Sequence, residues 1–389
     1  MSTSRPLFVR AAALTAGALA ALALSEIILR PIEARRAKKV SGGSLSLLMP
    51  NPRGSGSYRL KPDLNETAEV EGRTIAIRTN RFGMRWRDVD KKKRPGVKRL
   101  AVFGDSFAFG CWSNSIEESF TGIVDRELAP GGIEVLNFGA GGYGVADEEL
   151  LLEEEVLGFE PDAVLIVMFN GNDFRDTYLG LDRESLVNGA AILNEAALKA
   201  KVPPRFLVKG RPPLVPLAPE RWWERAFRHL ALFRMAAPLF DLDSPWIDFA
   251  QNRDFRSYGF WSSSPYPDVA IEARDATLAA LDRIHERLLG LGIGLYVAAI
   301  PTSEQVYAVK MTGPGYDLSL PQRFVAAHAA AHGIPFLDLL PALRDFARAS
   351  GWRPYLRRDT HLNNRGHALV GLTLARWLRE QSPPPTGIE

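Results

Sequence analysis

The sequence predicts an α/β fold with a doubly wound, mostly parallel sheet of five strands. From residue 97 onward, apolar runs of strand length alternate with segments of helical spacing. The run at 163–169 reads AVLIVMF and is apolar throughout, as expected of a central parallel strand covered on both faces. Because such strands connect through helices, we expect helices on both faces of the sheet, in a three-layer sandwich of the flavodoxin-like type.

The alternation also locates the individual elements. The predicted core strands are 97–103, 133–137, 163–169, 293–300 and 334–337. The predicted helices are 117–128, 147–157, 268–290, 320–332, 340–349 and 364–380. A long insertion at 175–267 follows the third core strand, and it includes an amphipathic aromatic helix at 221–240. We interpret the insertion as a lid or substrate wall, or alternatively as a satellite core of aromatic side chains.

Residues 1–30 have the composition of a signal anchor or a signal peptide. Arg5 and Arg10 precede an uncharged segment at 11–24, and a basic cluster follows at 30–39. The basic cluster alone would favour a cytoplasmic domain by the positive-inside rule, whereas a short basic N-terminus is typical of export. We expect an uncleaved membrane anchor with an extracytoplasmic domain, and secretion after signal cleavage is the alternative.

Residues 31–96 are predicted to form a linker and a small N-terminal hairpin extension. The stretch 40–59 is rich in Gly, Ser and Pro, which is typical of a linker. Alternating apolar residues at 67–79 around Glu71-Gly72 predict a hairpin. The main domain is then expected to span 97–389.

Composition excludes several classes of function. The 389 residues are 46% hydrophobic and 24% charged, which is ordinary for a globular chain, and a net charge of +3 gives no indication of nucleic-acid binding. The single cysteine, Cys111, rules out an intramolecular disulfide and is interpreted as a small buried hydrophobic residue. Four histidines lie on helical patterns without metal-ligand spacing, so neither a metal nor a cofactor is expected; they are His229, His285, His328 and His332.

The stretch 100–110, LAVFGDSFAFG, places Ser106 directly after the first core strand. Ligands of α/β folds bind outside the carboxyl ends of the strands, so this is a position for a nucleophile. If a helix begins here, its N-terminal N–H groups and dipole would favour a developing anion. A serine that merely caps a tight turn would give the same local sequence. Asp105 is expected to brace the turn.

Other polar residues follow the remaining strands. Asn137 and the glycines of 139–144 follow the second strand, 170–173 follow the third, and Asp359 and His361 precede the last helix. Because these strand ends lie along one edge of the sheet, the residues are expected to converge there. A nucleophile, a base, an orienting acid and oxyanion donors are the parts that serine hydrolysis needs.

These blocks resemble those of the SGNH (GDSL-type) hydrolase superfamily, in a membrane-anchored bacterial type of member. The matching segments are GDSFAFG, NFGAGGYG, NGND and DTHLNNRGH. The resemblance implies that Ser106 is the nucleophile, His361 the base and Asp359 its orienting acid. It further implies an oxyanion hole made of the Ser106 and Gly142 backbone N–H groups and the Asn172 side chain, with no metal and no cofactor.

One feature departs from the common pattern of that family. The usual spacing of acid and base is D-x-x-H, whereas this chain has D-x-H. Some branches that resemble glycan acyl esterases and acyltransferases use this shorter spacing. If Asp359 did not reach His361, a backbone carbonyl would orient the histidine, and Asp359 would pair with Arg357 or Arg358.

The sequence therefore predicts a serine esterase or acyl hydrolase that cleaves a carboxylic ester through an acyl-enzyme on Ser106. A small acyl group on a glycan is the expected substrate, and the membrane is the expected partner of the N-terminal segment. One alternative is an O-acyltransferase that passes the same acyl group to a sugar hydroxyl. A second alternative is a non-catalytic binding domain on the same fold. The sequence makes no prediction of the oligomeric state.

Overall fold

The computed structural model describes residues 13–17, 20–31, 47–53, 58–70, 73–180, 194–207, 215–216, 230, 232, 246–247, 254–256, 258–307, 315–356 and 359–381. The chain divides into two compact units. One consists of Met1–Gly43 and Pro216–Trp246, and the other of Ser44–Val215 and Ile247–Glu389. The second unit contains the five-stranded sheet and the residues predicted to be catalytic.

The strands of the described residues are β1 (Leu48–Pro50), β2 (Tyr58–Leu60), β3 (Asn65–Val70), β4 (Arg73–Arg78), β5 (Lys98–Gly104), β6 (Ile133–Asn137), β7 (Ala163–Phe169), β8 (Val215–Pro216), β9 (Trp246–Ile247), β10 (Gly294–Ile300) and β11 (Phe336–Asp338). The α-helices of the second unit are α1 (Phe120–Leu128), α2 (Val145–Glu154), α3 (Asp173–Leu179), α4 (Glu195–Lys201), α5 (Asp268–Leu289), α6 (Ser303–Tyr307), α7 (Leu320–Ala331), α8 (Leu340–Ser350) and α9 (Asn364–Glu380). Short 3₁₀ turns lie at Ala129–Gly131, Val156–Phe159, Pro204–Phe206 and Tyr258–Ser262.

The central sheet contains five strands, all parallel, in the order β11-β10-β7-β5-β6. Numbered along the chain, this is the order 2-1-3-4-5 of flavodoxin-like doubly wound folds. The predicted fold class is therefore confirmed. The direction of winding reverses between β5 and β7, and a ligand crevice is expected outside the carboxyl ends of these two strands.

Burial on both faces explains why the core strands read as apolar runs. Every residue of β7 after Ala163 is buried, and so is every residue of β10. Helices α1 and α9 pack together, and α5 packs against α2 and α3. Right-handed crossovers between parallel strands place these two groups on opposite faces of the sheet. The predicted three-layer sandwich follows from this arrangement.

Two boundaries differ from the predicted ones for local reasons. Helix α1 begins at Phe120 rather than at 117, because the Ser119 side chain accepts a hydrogen bond of 3.1 Å from the N–H of Gly122 and caps the helix there. Strand β11 covers Phe336–Asp338 rather than 334–337, because its pairing with β10 runs only from Val297 to Ala299.

The N-terminal extension of the second unit contains two hairpin-like pairs. Strands β3 and β4 pair in antiparallel register, which confirms the predicted hairpin; its turn at 71–72 lies outside the described residues. The prediction of a linker over 40–59 is wrong for its described part, since β1 pairs with β2. Leu48, Tyr58 and Leu60 are at most 8% exposed and belong to the main core. Glycine, serine and proline content alone did not indicate this packing.

The insertion contributes to the same core in its described part. Phe255, Phe260 and Trp261 are fully buried, with ring centroids 5.0 to 5.4 Å apart in edge-to-face contacts. Trp261 also meets the ring of Phe174 on α3, at 5.9 Å. These aromatic side chains extend the main core instead of forming a separate one. The helix predicted at 221–240 lies almost entirely outside the described residues, and the lid or substrate wall stays a prediction.

The first unit contains an apolar helix, Ala13–Pro31. Among the described residues it is the one helix whose length and composition would allow it to cross a membrane, and a signal sequence has the same features. Its acidic residue Glu26 pairs with Arg30 one turn later, at 3.0 Å. This pairing compensates one charge with another near the end of the helix.

Candidate active site

The site begins where β5 ends at Gly104. This glycine has a φ of 149°, and a Cβ atom in its place would lie 2.7 Å from the Cβ of Ala108 and 2.8 Å from the carbonyl oxygen of Val167. Only glycine therefore allows the chain to turn here against β7. A series of turns carries the chain onward, and no helix begins at Ser106. The expectation that a helix dipole acts on Ser106 is wrong.

Asp105 braces this turn, as expected. Its Oδ1 accepts a hydrogen bond of 2.8 Å from the N–H of Phe107, and its side chain is buried. Burial raises the pKa of Asp105 to about 6, although the Phe107 N–H, the charge of His361 and the Asn172 amide act in the opposite direction. A buried carboxyl group with a raised pKa therefore lies beside Ser106, with its Oδ2 3.4 Å from Oγ of Ser106.

Ser106, His361 and Asp359 form a continuous chain of hydrogen bonds. Nε2 of His361 lies 2.7 Å from Oγ of Ser106, and Nδ1 of His361 bonds to Oδ1 of Asp359. The His361 ring packs against Phe107 with centroids 5.0 Å apart, and Phe107 in turn packs against Phe169 at 4.2 Å. These aromatic contacts hold the imidazole over the end of the sheet. The arrangement has the geometry of a nucleophile, a base and an orienting acid.

The short D-x-H spacing is accommodated by an Asx-type turn. Oδ1 of Asp359 accepts a hydrogen bond of 2.9 Å from the backbone N–H of His361, in addition to its bond with the ring. An aspartate readily bonds to the backbone two residues later, so this spacing brings its carboxylate to the ring of the same residue. Asp359 thus reaches His361. Arg357 and Arg358, its alternative partners, lie outside the described residues.

The segment that carries the acid and the base is closed at both ends. Tyr355 and Leu362 form an antiparallel bridge, and the N–H of Leu356 bonds to the carbonyl of His361 at 2.9 Å. Asn363 then caps α9 by accepting hydrogen bonds of 3.0 Å from the N–H groups of the next turn. The loop position is therefore fixed by backbone bonds that do not involve Ser106.

Trp112 supplies a second contact to the acid. Its indole Nε1 donates a hydrogen bond of 3.0 Å to Oδ2 of Asp359, and its ring lies edge-on to His361. Burial alone would raise the pKa of Asp359, but the hydrogen bonds from His361 and Trp112 and the charge of His361 outweigh it and lower that pKa. Asp359 is therefore held in its ionised form.

Two backbone N–H groups are available at Ser106 and beside it. Within the described part of the chain, the N–H groups of Ser106 and Gly142 donate no hydrogen bond. A Cβ placed on Gly141 would lie 3.8 Å from that of Ser106, so this glycine turn passes next to the serine. Gly142 has a φ of 80°, which suits glycine.

Tyr58 controls the orientation of that turn. Its hydroxyl donates a hydrogen bond to the carbonyl of Gly141. Because a trans peptide is planar, fixing this carbonyl in one direction aims the N–H of Gly142 in the opposite direction. Strand β2 therefore sets the direction of one of the two available donors.

Asn172 follows β7 and is buried near the same edge. Its Nδ2 donates a hydrogen bond of 2.8 Å to Asp176, which pairs with Arg175 at 2.6 Å. Its Oδ1 has no partner among the described residues. The Asn172 side chain also hydrogen-bonds to the carboxyl group of Asp105 and acts to lower the pKa of that group.

The comparison with known families decides which family this fold and site belong to. Residues 102–369 match the GDSL-like Lipase/Acylhydrolase family, which is well over half of the chain. The chain belongs to this family. It is accordingly an esterase or acyl hydrolase, an enzyme that acts on ester bonds.

Several solved structures resemble this acylhydrolase at low sequence identity. They include a two-domain esterase active on acetylated mannans, at 12% identity with a TM-score of 0.40, covering 73% of this chain and 49% of that one. A catalytic mutant of an acetylxylan esterase from Geobacillus stearothermophilus has 14% identity and a TM-score of 0.39, with 74% and 96% covered. An acetyl xylan esterase named AlAXEase has 15% identity and a TM-score of 0.38, with 73% and 100% covered.

The chain spans about half the length of the two-domain esterase. No curated protein sequence shows significant similarity to the chain.

Two polar residues of the acylhydrolase domain have structural contacts instead of facing the site. Oδ2 of Asp173 accepts a hydrogen bond of 2.8 Å from the N–H of Phe169, and burial raises the pKa of Asp173 well above its ordinary value. His367 is buried between the N–H of Phe120 and the carbonyl of Cys111, both at 3.3 Å. Burial lowers the pKa of His367 to about 3, so the ring is neutral.

Burial also raises the pKa of the half-buried Cys111 thiol, which makes it unreactive.

The expectation that the helical histidines lack metal-ligand spacing is wrong for two of them. His328 and His332 are four residues apart and lie beside Asp282 on the neighbouring helix α5. One ligand atom from each of the three residues lies within 4.8 Å of the others. The sequence contained the His-x-x-x-His spacing, but the third group becomes visible only when α5 and α7 pack together.

Sequence reasoning missed Tyr58 and Trp112. Trp112 follows the GDSFAFG block closely, and its aromatic character there was the available signal. Tyr58 had none, because it lies in a segment of linker-like composition and meets Gly141 only through the fold.

Proposed function

We propose that this acylhydrolase cleaves carboxylic esters through a covalent acyl-enzyme on Ser106. The observation that carries the proposal is the hydrogen-bonded chain from Ser106 Oγ through His361 to Asp359. His361 Nε2 takes the hydroxyl proton while Oγ attacks the ester carbonyl carbon. The tetrahedral intermediate then collapses, its alcohol leaves with the proton from His361, and water hydrolyses the acyl-enzyme to the carboxylic acid.

The oxyanion of the intermediate is proposed to bind to three donors. They are the N–H groups of Ser106 and Gly142 and the side-chain amide of Asn172. The support is that the two backbone groups donate no other hydrogen bond in the described structure, and that the Asn172 amide is buried beside Asp105, the residue before Ser106. Each such donor is worth about 3–4 kcal/mol in the transition state.

Hydrolysis of p-nitrophenyl acetate by the full-length protein tests the nucleophile. We expect turnover by the wild type and none by Ser106→Ala, and labelling by a fluorophosphonate probe only where Ser106 is present. Ser350→Ala is the matched control, since this exposed hydroxyl bonds to the carbonyl of Phe346 and the N–H of Trp352 and to no residue of the candidate site. Equal turnover in Ser106→Ala and in the wild type would refute the assignment.

We further propose that the natural substrate is a small acyl ester on a glycan. The support is the D-x-H spacing, which resembles that of glycan acyl esterases and acyltransferases. A series of p-nitrophenyl esters of increasing chain length should give the highest kcat/KM for acetate, and acetylated oligosaccharides should release acetate. Preference for long acyl chains would contradict this substrate class. Transfer of acetyl to an added sugar in place of its release would identify an O-acyltransferase.

We propose that the apolar helix anchors the enzyme in the membrane, with the catalytic domain outside the cytoplasm. The support is the length and composition of Ala13–Pro31 together with the basic residues Arg5 and Arg10 that precede it. A reporter that is active only outside the cytoplasm should give a signal when it is fused after Glu389. Recovery of the shortened protein in the medium would instead indicate a cleaved signal peptide.

A further inference from the structure

A second cluster of ligand side chains lies where α5 and α7 pack together. Asp282 belongs to α5, His328 is on the last turn of α7, and His332 directly follows its last residue. Residues four apart on a helix lie on the same side, so the two imidazoles face α5 together. Their ring centroids are 4.3 Å apart.

The distances between the three side chains suit a shared cation. Oδ1 of Asp282 lies 2.7 Å from Nε2 of His328 and 3.5 Å from Nε2 of His332. Ligands held about 2.0–2.1 Å from a tetrahedral zinc ion lie roughly 3.4 Å from one another. Small rotations of the Asp282 carboxylate and the two imidazoles would therefore bring all three atoms to metal-binding distance.

The tautomer of His332 is fixed by a backbone contact. Its Nδ1 lies 2.9 Å from the carbonyl oxygen of His328, which can only accept a hydrogen bond. In the neutral ring the proton is therefore on Nδ1, and the lone pair of Nε2 points toward Asp282. Histidine ligands of metals commonly donate their other N–H to a backbone carbonyl in this way.

The cluster is remote from the catalytic residues. Ser106 follows the carboxyl end of β5, whereas α7 ends at Ala331, shortly before β11 begins. Helices that connect parallel strands run back toward the amino ends of the strands, so the cluster lies at the opposite edge of the sheet. A cation held there would link α5 to the end of α7 and would not contact the substrate.

We propose that Asp282, His328 and His332 form a binding site for a divalent transition metal, and specifically Zn²⁺, that fastens α5 to α7. Two imidazole nitrogens and one carboxylate oxygen are ligands that Zn²⁺ accepts, and water completes the coordination. The side chain of His332 is 41% exposed, which gives the ion a route from solvent.

Titration of the chelator-treated full-length protein with ZnCl₂ tests the site. Calorimetry should give one equivalent of saturable binding, and the midpoint of thermal unfolding should rise in the presence of Zn²⁺. Co²⁺ in place of Zn²⁺ should produce the visible absorption of a tetrahedral complex. His332→Gln removes one ligand at an exposed position, so the fold is retained, and it should weaken Zn²⁺ binding at least about tenfold.

Asp275→Asn on the same helix is the matched control and should bind Zn²⁺ as the wild type does, because Asp275 lies two turns before Asp282 with an exposed side chain. Hydrolysis of p-nitrophenyl acetate should be the same with and without Zn²⁺ at a temperature where both forms are folded. Binding of equal strength in the wild type and His332→Gln, or no saturable binding, would overturn the proposal. A loss of hydrolysis on chelation would show that the metal acts elsewhere.

Discussion

The indole nitrogen of Trp112 donates a hydrogen bond of 3.0 Å to the carboxylate of Asp359, and so joins the loop after Ser106 to the loop that carries Asp359 and His361. Trp112 has a φ of 65°, a conformation that costs a bulky residue about 1–3 kcal/mol. Its ring packs against a small cluster formed by Val70, Ile75 and Leu356. The hairpin β3–β4 therefore supports the strained residue that holds the acid.

Trp112→Phe should lower kcat about tenfold with little change in KM. The phenyl ring retains the packing, but Oδ2 of Asp359 loses its donor, and a hydrogen bond to a charged group contributes about 1.5–3 kcal/mol. The pKa of Asp359 should rise toward its ordinary value, so activity should begin to fall at a higher pH on the acid side. Rates of p-nitrophenyl acetate hydrolysis measured across a pH series give kcat and the pH at which activity begins to fall.

Trp352→Phe is the control for this change, because Trp352 is half exposed and, among the described residues, its ring stacks on Arg365 alone. Its kinetics and pH profile should match those of the wild type. If Trp112→Phe lowers stability but leaves kcat and the acid side of the profile unchanged, the indole has only a packing role.

Tyr58→Phe should lower kcat by about tenfold, less than the 10²–10³ expected when an oxyanion donor is removed. Without the hydroxyl, the carbonyl of Gly141 loses its donor and the peptide that presents the Gly142 N–H is free to rotate. Steady-state kinetics on p-nitrophenyl acetate separate kcat from KM. Tyr178→Phe is the matched variant, since that hydroxyl bonds to Glu272 away from the site. Equal losses in both variants would contradict a specific role for Tyr58.

The sequence was sufficient to predict the sheet and the meeting of Ser106 with His361, but it did not predict the residues that support them. A strand such as β7 is apolar along its whole length because both faces are covered, and that pattern is local. Ser106, Asp359 and His361 follow strand ends or precede a helix, so the topology alone brings them to one edge. Tyr58 is different, because its partner Gly141 is 83 residues away and nothing near Tyr58 in the chain specifies the contact.

Arg85→Met should lower the free energy of unfolding by about 3 kcal/mol, measured by urea denaturation. The buried guanidinium donates to four carbonyl oxygens, at 3.2 Å to Phe109 and 3.4 Å to Ser113 among them, and thereby ties the loop after Ser106 to β4. Methionine would fill the space but could not donate to these carbonyl oxygens, so the four hydrogen bonds would be lost. Arg78→Met, at an exposed position of β4, should change the free energy of unfolding by less than about 0.5 kcal/mol. Similar losses for the two variants would exclude this explanation.

Glu148→Gln should become more stable relative to the wild type as pH rises. Burial first, and then the charges of Asp105 and Asp147, raise the pKa of Glu148 well above its ordinary value. The protonated group therefore stabilises the fold fully below the pKa of the unfolded chain, about 4.3, and this contribution is lost as pH rises through the folded value. Glutamine is neutral at every pH, so the Glu148→Gln variant keeps this stabilising contribution as pH rises.

Urea denaturation at about pH 5 and about pH 8 measures this difference. The gap between Glu148→Gln and the wild type should be larger at the higher pH, whereas Glu66→Gln on the exposed face of β3 should show no such trend. A gap that is constant with pH would mean that Glu148 is ionised in the folded protein.

The bridge between Tyr355 and Leu362 has a consequence for how the site tolerates thermal motion. Asp359 and His361 share one short closed loop, so any displacement of that loop carries both side chains together and leaves their mutual contact intact. Alignment for the reaction then depends on a single coordinate, the separation between this loop and Ser106. A rigid pair that approaches one fixed oxygen needs less conformational search than three independently moving groups, and this reduces the entropic part of the activation barrier.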